Sequence, residues 1–279
     1  MSMKKKRVIF TDLDGTLLDH YTYKTDAAEE TLAILKSQRI PVVLNSSKTQ
    51  QEMLLIREQL ALDSPFIIEN GAAIYIPVGY FEVQPQDTKL ENGFWVKSFC
   101  QPKDYWLSLL NEHATTYSND FQGFSQLTNA QLADLTGLPI DKATMAKQRQ
   151  YSEPLNWLGT DQSKVEFINL MQSLGATILQ GGRFLHVSGE CDKRLAQKWL
   201  TTQYQQQAPQ KQIITIALGD SNNDSAMLEE ATIAIQIHSP VHEFPQLNRK
   251  HQVYQSRLDG PAGWAETIND VLLSSLTNE

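Results

Sequence analysis

The sequence predicts an α/β fold: a doubly wound, parallel-sheet (Rossmann-like) core carrying an inserted α+β domain. Three observations predict it. Short apolar runs alternate with helical patterns at the start of the chain, and the same alternation resumes after Gly189. Between them the pattern changes at an aromatic-rich stretch punctuated by Pro77, Gly79, Pro85 and Gly93. Short strands alternating with helices call for a parallel sheet with helices on its faces. The expected division is therefore a core in two parts, residues 1–84 and 189–279, around an insertion over 85–188.

The elements follow in order. Val8-Ile9-Phe10 reads as a buried strand. Asp26-Ala27-Ala28-Glu29 resembles a capping box and leads a helical pattern through Leu32, Ile34 and Leu35. Pro41–Leu44 reads as the next strand, Gln50–Leu60 as a helix and Phe66–Ile68 as a third strand. In the insertion, helices are expected near Lys103–Ala114, Asn129–Thr136 and Lys164–Leu174. Strands are expected at Ala176–Leu179 and Phe184–Val187, with a weak signal around Glu166–Phe167. Gly181-Gly182 before Arg183 suits a turn or a close approach to a ligand. A helix from Lys193 to Tyr204 then runs into a glutamine-rich loop or frayed end. Strands at Ile213–Leu218 and Ile233–Ile237 flank a helix from about Asp224. A last helix starts near Pro261 and runs through Trp264 to Leu276.

Bulk properties bound the function. The 279 residues exceed one small core, and 41% hydrophobic content supports a packed globule. With 24 basic and 32 acidic residues the formal charge is −8, which argues against a nucleic-acid partner. An anionic small molecule stays compatible, because the potential in a cleft can oppose the net charge. Cys100 and Cys191 show neither metal spacing nor a disulfide framework, which fits a reducing, cytoplasmic setting. Lys4-Lys5-Lys6-Arg7 precedes only three apolar residues, too few for a signal peptide, and reads as a solvated lead-in to the first strand. No run reaches the length of a membrane span, so no membrane partner is expected. Oligomeric state stays open.

The chemistry concentrates in two acidic loops. Asp12-Leu13-Asp14-Gly15-Thr16 follows the first strand, where open α/β sheets bind ligands. One carboxylate of such a pair can attack phosphorus while the other handles the proton, and together they can hold a divalent cation. A second loop, Gly219-Asp220-Ser221-Asn222-Asn223-Asp224, follows Ile213–Leu218. Neither is an EF-hand. From Asp12 the sixth and twelfth positions are Leu17 and Tyr23, and from Asp220 they are Ser225 and Ala231, where glycine and glutamate are required. No Gly-x-Gly-x-x-Gly or phosphate-loop motif is present. His238 and His242 have helical spacing, but Pro240 intervenes and no third ligand is apparent.

Asp12-x-Asp14-Gly15-Thr16, a hydroxyl residue (Ser46) after the second strand, a lone lysine (Lys193) before a helix, and Gly-Asp-x-x-Asn-Asp together resemble the four motifs of the haloacid dehalogenase superfamily, in its order. The resemblance implies that Asp12 is the nucleophile and Asp14 the acid and base. It implies that Ser46 and Lys193 hold the transferring phosphoryl group. Asp12, Asp14, Asp220 and Asp224 would bind Mg²⁺, with Asn223 nearby on the substrate side. The insertion looks like that superfamily's cap. A closer resemblance lies in Asn45-Ser46-Ser47-Lys48-Thr49, Gly123-Phe124-Ser125, Thr136-Gly137-Leu138-Pro139 and Gln148-Arg149-Gln150-Tyr151-Ser152-Glu153-Pro154. These are similar to the mannosyl-3-phosphoglycerate phosphatase family. That implies a phosphorylated-sugar substrate, cleaved to a glycosylglycerate, a compatible solute. Lys48, Arg149, Arg183 and Glu153 are then candidate contacts for its carboxylate and hydroxyls. Glu153 could instead pair with Arg149. The sugar, mannose or glucose, stays open. The rivals are another sugar-phosphate phosphatase (one acting on sucrose phosphate, for example), a phosphomutase, and a non-catalytic phospho-ligand sensor. The intact pair Asp12 and Asp14 argues against the sensor.

Overall fold

The computed structural model describes residues 4–181 and 183–273. In chain order the elements are β1 (Lys4–Thr11), α1 (Glu29–Ser37), β2 (Val42–Asn45), α2 (Gln50–Gln59), β3 (Phe66–Ile68), β4 (Ala73–Pro77), β5 (Lys89–Glu91), β6 (Phe94–Ser98), α3 (Lys103–His113), β7 (Phe121–Gly123), α4 (Asn129–Thr136) and α5 (Ile140–Lys147). They continue with β8 (Ser152–Trp157), α6 (Asp161–Ser173), β9 (Thr177–Gly181), β10 (Phe184–Ser188), α7 (Lys193–Gln207), β11 (Lys211–Gly219), α8 (Ser225–Glu230), β12 (Ile233–His238), β13 (Val253–Asp259) and α9 (Gly260–Ile268). Two compact units result. One comprises Met1–Ser46, Gln59–Lys97 and Asp192–Glu279, and the other Ser47–Glu58 and Ser98–Cys191.

The first unit is built on a nine-stranded sheet of order β13-β12-β11-β1-β2-β3-β4-β6-β5. From β13 to β3 every neighbouring pair is parallel. The β3–β4 and β5–β6 pairs are antiparallel. The central strands are apolar without alternation: Val8, Ile9 and Phe10 on β1, Val42, Val43 and Leu44 on β2, and Ile216, Ala217 and Leu218 on β11 are all buried. This is the signature of strands covered on both faces. The chain leaves β1 in one direction through β2 and β3, and later fills the other side through β11, β12 and β13. β1 is therefore the switch point of the sheet, and ligands bind outside the carboxyl ends of strands at such a point.

The second unit holds a four-stranded antiparallel sheet of order β7-β8-β10-β9. Trp106 and Leu110 of α3 and Phe167 and Met171 of α6 pack on Leu155, Leu185 and Val187 of that sheet. A Cβ on Gly189 would lie 2.6 Å from the Cys100 side chain, so the two ends of the Ser98–Cys191 segment meet.

Several expectations shift. The hairpin β5–β6, placed in the insertion from the sequence, extends the nine-stranded sheet. The capping box at Asp26 does not form: a 3₁₀ turn over Asp26–Ala28 precedes α1, with no side-chain cap on either. The strand signal at Glu166–Phe167 lies inside α6, whose buried Phe167 and Met171 are one helical turn apart. α9 ends at Ile268 in a π turn over Asn269–Leu273; residues 274–276, expected as helix, and Gly182 fall outside the described residues. Among the described residues no helix is long and apolar enough to cross a membrane.

Candidate active site

The carboxyl ends of β1, β2 and β11 bring the predicted core residues together within the first unit. Asp12 directly follows β1, Ser46 follows β2 and Asp220 follows β11. All three are buried, as are Asp224 and Lys193. Lys193 Nζ donates to Asp12 Oδ1 and to Asp224 Oδ1, each at 2.6 Å. Burial opposes the charge on Lys193, but Asp12 and Asp224 more than restore it and raise its pKa. Burial pushes the Asp12 carboxyl up to about 7; Lys193 pulls it down, while Asp224 and Asp14 push it further up. Asp220 is pushed up to about 6, by burial first and Asp12 second, against the hydrogen bond from Thr16.

Each of these side chains is placed by its surroundings. Trp264 of α9, fully buried, donates from Nε1 to Thr11 Oγ1 at 3.1 Å and pins the end of β1 beside Asp12. Gly15 turns the chain at φ +77°, and a Cβ there would lie 2.5 Å from Asp220 Oδ2. Glycine thus serves both a left-handed turn and a close approach. Thr16 Oγ1 donates to Asp220 Oδ1 at 3.2 Å. Lys193 opens α7, capped by Asp192, whose Oδ1 accepts from the Leu195 amide at 2.6 Å. The turn between β3 and β4 abuts that helix start: a Cβ on Gly71 would lie 2.1 Å from the Asp192 carbonyl oxygen. Asn45 Nδ2 donates to the Lys193 carbonyl at 3.1 Å.

The donor set suits a hard cation. Carboxylate oxygens of Asp12, Asp220 and Asp224 lie within 4.8 Å of one another. Oxygen ligands of this kind are what Mg²⁺ takes. The expected four-carboxylate set is not gathered as such, since Asp14 stands outside this group. Asp224 is also heavily committed: Oδ1 accepts from Lys193, and Oδ2 accepts from the amides of Asp220 and Ser221, each at 3.2 Å. Its position braces the loop and Lys193. Asn223 is exposed, and its Oδ1 accepts from Ser221 Oγ.

The remaining candidates lie in the second unit. Lys48 is half-buried at its start. Arg149 donates from Nε to Ser152 Oγ at 2.7 Å and from Nη2 to the Ser47 carbonyl at 2.9 Å. Glu153 stands opposite Val187 in the β8–β10 register and shares the helix-packed face with Leu155 and Leu185. It is buried, and Oε1 accepts from the Ser125 amide and hydroxyl, each at 2.7 Å. Burial raises its carboxyl against those two bonds. Its observed partner is thus Ser125, so its bond fixes the Gly123–Ser125 turn. The opposite face of β8 and β10 carries Ser152, Pro154 and His186. The His186 ring is pushed down to about 3, by burial first and Arg149 second, and stays neutral. Arg183 is exposed, lies over the Phe184 ring at 5.5 Å and donates to the Thr136 carbonyl at 3.1 Å. His238, unabsorbed by any metal reading, pairs through Nδ1 with Asp259.

Sequence reasoning missed Asn45, Thr16, Gly71, Trp264 and His186. Asn45 and Thr16 stand inside motifs already singled out, so their neighbours were the signal. Nothing in the linear pattern of the other three marks them.

Comparisons with known proteins agree with this fold. A family model of haloacid dehalogenase-like hydrolases matches residues 9–243. A glucosyl-3-phosphoglycerate/mannosyl-3-phosphoglycerate phosphatase of Methanococcoides burtonii is 34% identical over 267 residues, covering 96% of this chain and 97% of the relative. One of the same name from Persephonella marina is 32% identical over 279 residues, covering 95% and 97%. Among solved structures, a haloacid dehalogenase-like hydrolase from Bacteroides thetaiotaomicron superposes with a TM-score of 0.68 at 17% identity, covering 96% of this chain and all of that one.

Proposed function

The chain belongs to the haloacid dehalogenase-like hydrolases and is a phosphatase, and on that premise we propose that it hydrolyses glucosyl- or mannosyl-3-phosphoglycerate with the help of Mg²⁺. The observation that carries the reaction is the buried Asp12–Lys193–Asp224 network at the sheet's switch point. The names of the two curated relatives support the substrate.

In this reading Asp12 attacks phosphorus. The new P–O bond forms as the ester P–O bond breaks, and Asp14 gives its proton to the departing alkoxide. Asp14, now a carboxylate, takes a proton from water, whose oxygen attacks the aspartyl-phosphate and releases phosphate. Lys193 and Ser46 meet the negative charge that spreads over the phosphoryl oxygens. Asp12 and Asp220 would hold the cation, with Asp224 bracing them and Asp14 close by. When bound, Mg²⁺ neutralises charge on the carboxylates and the phosphoryl oxygens. Lys48, Arg149 and Glu153 remain proposed contributors to substrate choice, Glu153 through the turn it holds. Arg183 and Asn223 are proposed as outer contacts.

Phosphate release from both glycosyl-phosphoglycerates, sucrose phosphate and glucose 6-phosphate tests the proposal, with Mg²⁺ and with excess chelator. The glycosyl-phosphoglycerates are expected to lead in kcat/KM, and chelation is expected to abolish turnover. Preference for sucrose phosphate or glucose 6-phosphate would reject the substrate. Full activity in chelator would reject the cation.

A further inference from the structure

The basic run Lys4-Lys5-Lys6-Arg7 takes no part in the site above. The structure adds two cations to it. Lys211 opens β11 in parallel register with Lys4, and Arg39 lies in the turn between α1 and β2. A hollow of about 610 Å³ at the amino ends of these strands is lined by Lys5, Lys6, Arg7, Arg39 and Lys211, and its two other lining residues are uncharged. None of the five makes an ion pair among the described residues. Like charges around one concavity repel, and each added cation disfavours the charge on its neighbours. Lys6 records this: burial first, and Lys211 second, lower its hold on its proton. The chain carries −8 overall, so this positive field is local and opposed to the rest of the surface.

We propose that this hollow is a binding site for a small, multiply charged anion of the oligophosphate class. It is distinct from the Asp12 site. Lys5 and Asp12 lie seven residue steps apart along β1 and its carboxyl end, at about 3.3 Å each, which separates the two sites by roughly 20 Å. Concavity selects a compact anion. A nucleic-acid duplex or a membrane would also meet the surrounding surface of a chain with 32 acidic residues, which repels an extended polyanion.

Inorganic tripolyphosphate is the probe, titrated calorimetrically into the whole protein without divalent cations. One site is expected, weakened by raising the salt from 0.05 to 0.5 M, as surface electrostatics require. Affinity should persist in Asp12→Asn, which disables the catalytic site. It should fall by about tenfold or more in the triple variant Lys5→Gln, Arg39→Gln, Lys211→Gln, about 1.4 kcal/mol or more. Each single glutamine variant should show a smaller loss, so the result does not depend on the triple variant folding. Turnover should be unchanged in the single variants. No binding by the wild-type protein overturns the proposal. So does binding lost in Asp12→Asn but kept in all three single variants, which would place the probe at the catalytic site. Capture of anionic vesicles or duplex RNA without tripolyphosphate binding overturns it in favour of a macromolecular partner.

Discussion

Asp12 shares Lys193 with Asp224, and this arrangement sets both its reactivity and its cost. Asp12→Asn keeps the shape but removes the proposed nucleophile, so kcat is expected to fall by about 10⁴-fold or more while the fold persists. Substantial residual turnover in the purified variant would overturn the assignment. The same substitution isolates a pH effect. The Asp12 pKa lies at about 7 in the fold against 3.8 for an ordinary aspartate. Well below pH 3.8 the carboxyl is protonated in both folded and unfolded chains, and its contribution is intact. As pH rises through that window, to about 7, the unfolded chain releases the proton first and the folded state loses stability. Without divalent cations, wild type should therefore lose melting temperature relative to Asp12→Asn between pH 4 and 7, and Mg²⁺ should shrink the loss. A difference that does not change with pH would contradict it. Gly15→Ala is expected to cost about 1–2 kcal/mol, from the left-handed turn, and more from the clash with Asp220. Weaker Mg²⁺ binding should accompany it, read by titration. The motif residues Asp12, Ser46, Lys193 and Asp220 were legible because each stands beside a strand end or helix start that the apolar pattern marks. Trp264 and Gly71 were not, since their contacts arise only once distant segments pack.

At the scale of elements, α7 is aimed by what touches its first turn. Asp192 caps it from within, and Gly71 admits its backbone against the β3–β4 turn. The two act differently. Asp192→Ala removes one cap, a loss of about 1 kcal/mol, and Lys193 stays in place. Gly71→Ala drives a Cβ into a carbonyl, so the helix start must move and Lys193 with it. Melting temperature should fall in both variants, but kcat should drop much further in Gly71→Ala; similar kcat values in the two would contradict this account. The strands that escaped the sequence reading have physical reasons. β8 carries Glu153 and Pro154, residues disfavoured in strands, and is recovered by its pairing with β7 and β10. β13 is mostly exposed, with only Ser256 buried, so it offers no apolar run to detect. β11, by contrast, was plain from its apolar core.

For the whole molecule, the order of the nine strands explains why two acidic loops so distant in sequence form one site: β1 and β11 are neighbours at the switch point. The core architecture was legible because parallel strands buried on both faces read as unbroken apolar runs. The edge strand β5 was not, because all three of its residues are exposed. Substrate choice belongs to this scale too. Arg149→Ala should cost on the order of 2–5 kcal/mol in kcat/KM for a glycosyl-phosphoglycerate if that side chain meets the glycerate, and much less for an aryl phosphate. Arg183 rests on Phe184, and Arg183→Ala should cost about 0.5–1 kcal/mol of stability. Equal losses on both substrates for Arg149→Ala would remove it from specificity. The meeting of Gly189 with Cys100 has a consequence for ancestry and engineering. A segment whose ends touch is a cassette: exchanging it adds little loop-closure entropy to the host chain. In the proposed reading, new specificities can then be acquired by transplanting a whole inserted segment, while the carboxylates proposed for the chemistry stay untouched.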